Sequence, residues 1–171
     1  MSAPPSRYRL YGLTVESPLP LPCPRVRLWG EPDVRLTPGR AARFAGARQH
    51  LSGPPSWFRS TVLPDGTMYL GWTGLFEFLI APDATEVVYR RLAGAARESF
   101  NVYLLGHVLS FVLASRGTEA LHSTVVLVGG EAVEFLGDCG YGKSTLGAAF
   151  LARGFPILTD DLAALDARGG R

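Results

Sequence analysis

In this 171-residue chain the only lysine, Lys143, falls inside the run Gly137-Asp138-Cys139-Gly140-Tyr141-Gly142-Lys143-Ser144. Glycine, four residues, glycine, lysine and serine is the complete phosphate-loop (Walker A) spacing, which needs a strand before it and a helix after it. Both are legible: 131–136 is a strand-like run, 143–153 reads as a short helix closed by Gly154, and 155–159 reads as the next strand. The chemistry accounts for each position. Glycines turn successive backbone N–H groups inward to make a nest for phosphate oxygens, and the following helix aims its positive end at the same anion. A compact ammonium suits the phosphates, and a serine hydroxyl suits Mg²⁺. Sixteen of the 17 basic residues are arginine, so the one exception sits where a lysine has a chemical reason to be. With 20 glycines and one lysine, shuffling yields this pattern roughly once or twice in a thousand sequences.

The expected nucleotide-binding residues are therefore Gly137, Asp138, Cys139, Gly140, Tyr141, Gly142, Lys143, Ser144 and Thr145, with a nucleoside triphosphate and Mg²⁺ as cofactors; the loop does not encode which base. Cys139 and Tyr141 read as spacers whose backbone matters more than their side chains. Asp160-Asp161 closes the strand after the loop's helix and admits two readings. The pair holds Mg²⁺ and accepts a proton, or it is a solvated turn with Asp161 capping the next segment. His122 and His107, taken alone, read as structural histidines.

Composition narrows the classes. Apolar residues make up 47% and the net charge is +2, which favours a packed core and excludes the basic excess of a nucleic-acid binder. Cys23 and Cys139 form no metal-ligand or disulfide pattern, as expected of a reducing cytoplasm. The longest apolar stretch, 102–114, is too short to span a bilayer, so a soluble protein without membrane contact is expected.

Eleven of the 13 prolines lie within residues 1–64, and the chain changes character after them. Residues 8–15 alternate as one strand, 18–22 read as an extended edge, and 37–56 read as a loop. Segments 57–63 and 67–72 flank Pro64-Asp65-Gly66 as a hairpin, and 75–80 and 86–92 repeat the pattern. A buried helix is expected over 98–115, capped by Ser99 or Asn101 and ended by Gly117. Residues 121–128 and 131–136 pair through Gly129-Gly130. The expected fold is α+β, with a small antiparallel β-rich module over 1–95 followed by a partial P-loop α/β core over 96–171.

His122, the 137–144 run, Leu151-Ala152-Arg153-Gly154 and Leu158-Thr159-Asp160-Asp161 together resemble the catalytic domain of HPr kinase/phosphorylase. The closer likeness is to HPr-kinase-like proteins of bacterial peptide-modification clusters, including lasso-peptide kinases. Tyr8-Arg9-Leu10-Tyr11-Gly12-Leu13, the 17–22 segment and Arg116-Gly117 ahead of Leu121-His122-Ser123 are also similar. The resemblance implies a nucleotide core of the HPr-kinase/phosphoenolpyruvate-carboxykinase type that transfers the ATP γ-phosphoryl group to a serine of a small protein or peptide. In that scheme Asp160 is the base, Asp161 and Ser144 serve the metal, and His122 orients the carboxylates. The family's further C-terminal carboxylate and basic segment have no counterpart here, so the chain is expected to be truncated relative to it, with an exposed sheet edge and a tendency to self-associate. A nucleotide-binding module without phosphotransfer is the alternative. The motifs of the carboxykinases themselves are absent from the sequence.

Overall fold

A computed structural model describes residues 5–27 and 29–165. The chain divides into two compact units, Met1–Arg116 and Gly117–Arg171.

The first unit is built on a seven-stranded sheet: β1 (Ser6–Leu10), β2 (Leu13–Ser17), β3 (Val34–Pro38), β4 (Phe58–Val62), β5 (Met68–Trp72), β6 (Phe76–Ile80) and β7 (Glu86–Arg91). The spatial order is β1-β2-β3-β7-β6-β5-β4. The expected hairpins over 57–72 and 75–92 are present, and the Asp65-Gly66 turn places Gly66 at φ 85°. Three features differ from the sequence reading. Residues 8–15 are two strands, because Tyr11 and Gly12 adopt φ 50° and 78° and turn the chain back on itself. The sheet is mixed, since β2–β3 and β3–β7 are parallel. Between β2 and β3 the chain returns to start β3 beside β2, and no local alternation announces such a return. Within the expected loop, α1 (Ala41–Arg48) buries Phe44 and Ala47, three residues apart, against Tyr69, Leu79 and Val88.

The opposite face of the sheet is covered by the long helical segment that the apolar run over 98–115 foretold. It comprises α2 (Arg97–Val102), a π-helical stretch (Tyr103–Val108) and α3 (Leu109–Ser115). The N-cap is Ala96 and makes no side-chain cap, so neither Ser99 nor Asn101 fills that role. Phe100, Leu104, Val108 and Val112 share one core with Leu36, Phe76, Phe78 and Val87. Phe100 stacks on Phe78 with ring centroids 5.4 Å apart. Because helices cover both faces, β6 is buried along its whole length. The segment thus belongs with the first unit, and the chain divides at 116/117 instead of at 95/96.

The second unit is a four-stranded sheet of β8 (Glu119–Val128), β9 (Glu131–Leu136), β10 (Ile157–Thr159) and β11 (Leu162–Leu165), with α4 (Lys143–Leu151). β8 is central. β9 pairs antiparallel along one of its edges, while β10 and β11 pair in succession along the other. α4 packs on β8 and connects β9 to β10, which run in the same direction. No helix among the described residues is long and apolar enough to cross a membrane.

Candidate functional site

The 137–142 loop leaves the end of β9 and enters α4 at Lys143. Gly140 and Gly142 have φ 86° and 82°, a region open to glycine and costly for other residues. Gly142 is the N-cap of α4, with no side-chain cap and no acidic residue in the first turn. The first i→i−4 bond is Leu146 N–H to Gly142 C=O at 2.9 Å, so the N–H groups of Lys143, Ser144 and Thr145 precede the helical ladder. The Lys143 ammonium donates to the carbonyls of Gly137 (2.7 Å) and Asp138 (3.0 Å) and folds across the loop. Asp138, Cys139, Tyr141, Ser144 and Thr145 are exposed. The loop therefore gathers N–H donors and one ammonium, and no carboxylate among the described residues is tied to either, a donor set that fits a polyphosphate.

The carboxylate pair lies in a bend between β10 and β11, directly after a one-residue register slip within β10 between Ile157 and Thr159. A bend relaxes the strict alternation of a strand, and both side chains find partners on β8. Thr124 Oγ1 donates to Asp160 Oδ1 at 2.6 Å. His122 Nδ1 lies 3.2 Å from Asp161 Oδ1, and the Ser123 N–H donates to the Asp161 carbonyl at 3.2 Å. His122 and Asp161 are both more than half exposed, at 57% and 58%. Sequence reasoning grouped His122 with the carboxylates only through the resemblance; the structure brings His122 and Asp161 into contact.

α4 ties loop and carboxylates together. A Cβ added at Gly147 would lie 2.5 Å from Thr124 Cγ2 and 3.9 Å from Asp160 Oδ1, so the second turn of α4 rests on both residues. Neither Thr124 nor Gly147 was singled out from the sequence. Both left signals: Thr124 follows His122 by two positions and so shares its face of the strand, and glycine inside a helix is unfavourable without a packing reason.

Among the described residues no cluster of three or more His, Cys, Asp or Glu side chains could hold a metal ion. Ser144 and Asp161 would serve Mg²⁺ together with phosphate oxygens and water, the usual coordination of that ion in nucleotide sites. His107 is exposed and stacks on Tyr103 at 5.1 Å, an edge histidine of the first unit. Cys139 is an exposed free thiol, whereas burial pushes the half-buried Cys23 thiol up.

No family model matches this chain, and neither the curated proteins nor the solved structures contain a significant match.

Proposed function

We propose that the 137–145 loop binds ATP with Mg²⁺, and that the second unit transfers the γ-phosphoryl group to a serine hydroxyl of a small protein or peptide, as the likeness to HPr-kinase-like proteins implies. The observation that carries this reading is the seating of α4 on Asp160: the helix that follows the phosphate loop lies against the carboxylate that would take the proton. Thr124 occupies Asp160 Oδ1 and fixes the carboxylate's orientation, while no described residue engages Oδ2. Asp160 accepts the hydroxyl proton as the serine oxygen bonds to the γ-phosphorus and the bond to the bridging oxygen breaks, leaving ADP. Lys143 leaves the loop carbonyls and turns to the phosphates. Asp161, held by His122, would serve the metal together with Ser144. The bound Mg²⁺ supplies charge neutralisation at the phosphate oxygens.

A second reading, nucleotide binding without transfer, is favoured by one observation. Leu136 ahead of the loop, Leu146 in the first turn of α4 and Leu158 in β10 are 62%, 42% and 57% exposed, so the unit leaves these apolar side chains in water where a closed transfer site would exclude it.

Calorimetry with ATP·Mg²⁺ on the purified chain tests the common part of both readings. Lys143→Ala is expected to weaken binding about 10- to 100-fold, the worth of a charge-assisted hydrogen bond pair. Transfer of labelled γ-phosphate to serine peptides separates the two. Asp160→Asn should lower transfer about 10²- to 10⁴-fold while nucleotide still binds. Transfer unaffected by that change removes Asp160 from its role, and absence of binding by the folded chain removes both readings.

A further inference from the structure

We propose that the first unit holds a second site, independent of the phosphate loop, which binds a carboxylate-bearing ligand with an apolar body between Arg91 and Arg97. The site is a cavity of about 490 Å³, within the range of roughly 300–1,000 Å³ typical of small-ligand sites. Its position is set by topology. β2, β3 and β7 run parallel, and the cavity is lined by what stands at their C-terminal ends: Pro20 after β2, Pro38 ending β3, and Tyr89 and Arg91 ending β7. Crevices outside the carboxyl ends of parallel strands are where open sheets hold ligands.

The lining states the chemistry. Arg90 also borders the cavity but is bound to Glu77 at 2.9 Å and is spent on that pair. Arg91 and Arg97 are exposed, and among the described residues neither has a carboxylate partner. Tyr89 is 7% exposed and lines the cavity, yet its hydroxyl has no hydrogen-bond partner among the described residues. That hydroxyl keeps contact with solvent, so water satisfies it until a ligand takes the water's place. Arg91 also opposes the upward push that burial gives the Tyr89 phenol, which places the cation within electrostatic reach of that ring. The remaining lining is mostly apolar, Leu19 and Phe100 with the two prolines, and Asn101 adds one side-chain amide.

Prolines have no N–H, and the Gly39 N–H that comes after Pro38 is already donated to the Tyr89 carbonyl at 2.8 Å. The walls thus lack the converging backbone donors of a phosphate nest. Two guanidinium forks beside a phenol and apolar rings match a planar carboxylate carried on an aliphatic or aromatic group. Such a group comes from a free organic acid or from the C-terminus of a peptide.

Titration calorimetry of the full chain with 3-phenylpropionate and with acetyl-Leu-Phe bearing a free C-terminus tests the site, with the amidated dipeptide as neutral control. Saturable binding of at least one acid, at least tenfold tighter than the amide, is expected. Binding of the free acid alone identifies a small-molecule site, and binding of the dipeptide alone identifies a peptide C-terminus. Arg91→Gln and Arg97→Gln should each weaken binding about tenfold, while Arg153→Gln and Lys143→Ala leave it unchanged. Equal binding of acid and amide, no binding of either acid, or indifference to both arginine changes overturns the proposal. So does loss of binding in Lys143→Ala, or displacement of the acid by equimolar inorganic phosphate.

Discussion

At the scale of single residues, Gly147 and Glu77 carry more than their sequence context suggests. In an exposed helix, Gly→Ala is favourable by about 0.5–1 kcal/mol. At 147 the new methyl would meet Thr124 Cγ2 at 2.5 Å, and the backbone of α4 would have to lift from β8. Gly147→Ala is expected to destabilise the second unit by about 1–3 kcal/mol in denaturant melts and to weaken ATP binding along with it. Thr124→Ser removes the offending methyl and keeps the hydroxyl on Asp160, so the double variant should recover most of the loss, a coupling visible in a double-mutant cycle. Glu77 is 4% exposed and takes hydrogen bonds from Tyr69 Oη and Arg90, both at 2.9 Å, and an ion pair from Arg48. Burial and the adjacent carboxylate push the Tyr69 phenol well above its usual range, which keeps it a donor. Glu77→Ala orphans that phenol and should cost about 2–4 kcal/mol by urea unfolding, moderated because both arginines reach solvent.

At the scale of elements, the turns have a readable electrostatic role. Asp65 accepts the Thr67 N–H at 2.9 Å, and Asp83 accepts the N–H and hydroxyl of Thr85 at 3.1 and 2.9 Å. These bonds favour the charged forms and hold both carboxyls below the usual carboxylate range. A folded-state value that is depressed adds stability above the unfolded value and loses it as pH falls through the folded one. The acid limb of the stability curve, below about pH 4, should therefore be shallower in Asp65→Asn with Asp83→Asn than in the parent, as thermal melts between pH 2 and 6 would show. These same turns were plain in the sequence because Asp-Gly and Pro-Asp have strong local preferences. The β1–β2 turn was hidden because its first positive-φ position is Tyr11, a residue that gives no turn signal. α1 was hidden among glycines and prolines, since its stability comes from Phe44 and Ala47 packing on the sheet and not from its own propensity. Parallel pairing of β2, β3 and β7 depends on a long return of the chain, which no window of local pattern contains.

At the scale of the molecule, the two units differ in how much they bury. Both clusters of the hydrophobic core lie in the first, built from the sheet and the helices on its two faces. The second keeps Leu136, Tyr141, Leu146, Leu151 and Leu158 largely exposed. A ligand that binds only the folded second unit then has a large relative effect on it. At a hundred times its Kd, ATP·Mg²⁺ should add about 2.7 kcal/mol to the unfolding free energy of that unit, and at the same concentration Lys143→Ala should cut the gain to about 0.4–1.4 kcal/mol. Fluorescence- or hydrogen-exchange-detected unfolding resolved by unit checks this, with the first unit unchanged. The site's own legibility has the same division. Its loop could be read because each position serves local backbone chemistry. Thr124 and Gly147 left only position signals, and what they support could not be read, because it is made by contacts between β8, α4 and the Asp160 bend.

The posture of Lys143 has a spectroscopic consequence. Its ammonium is hydrogen-bonded to the carbonyls of Gly137 and Asp138, and no other lysine exists in the chain. Protein grown with ¹⁵N-lysine would carry a single side-chain resonance, whose protons exchange more slowly with water while the loop holds them than after release. An arriving anion has to break that clasp, so one peak would report, without any assignment, whether the loop is clasped or engaged.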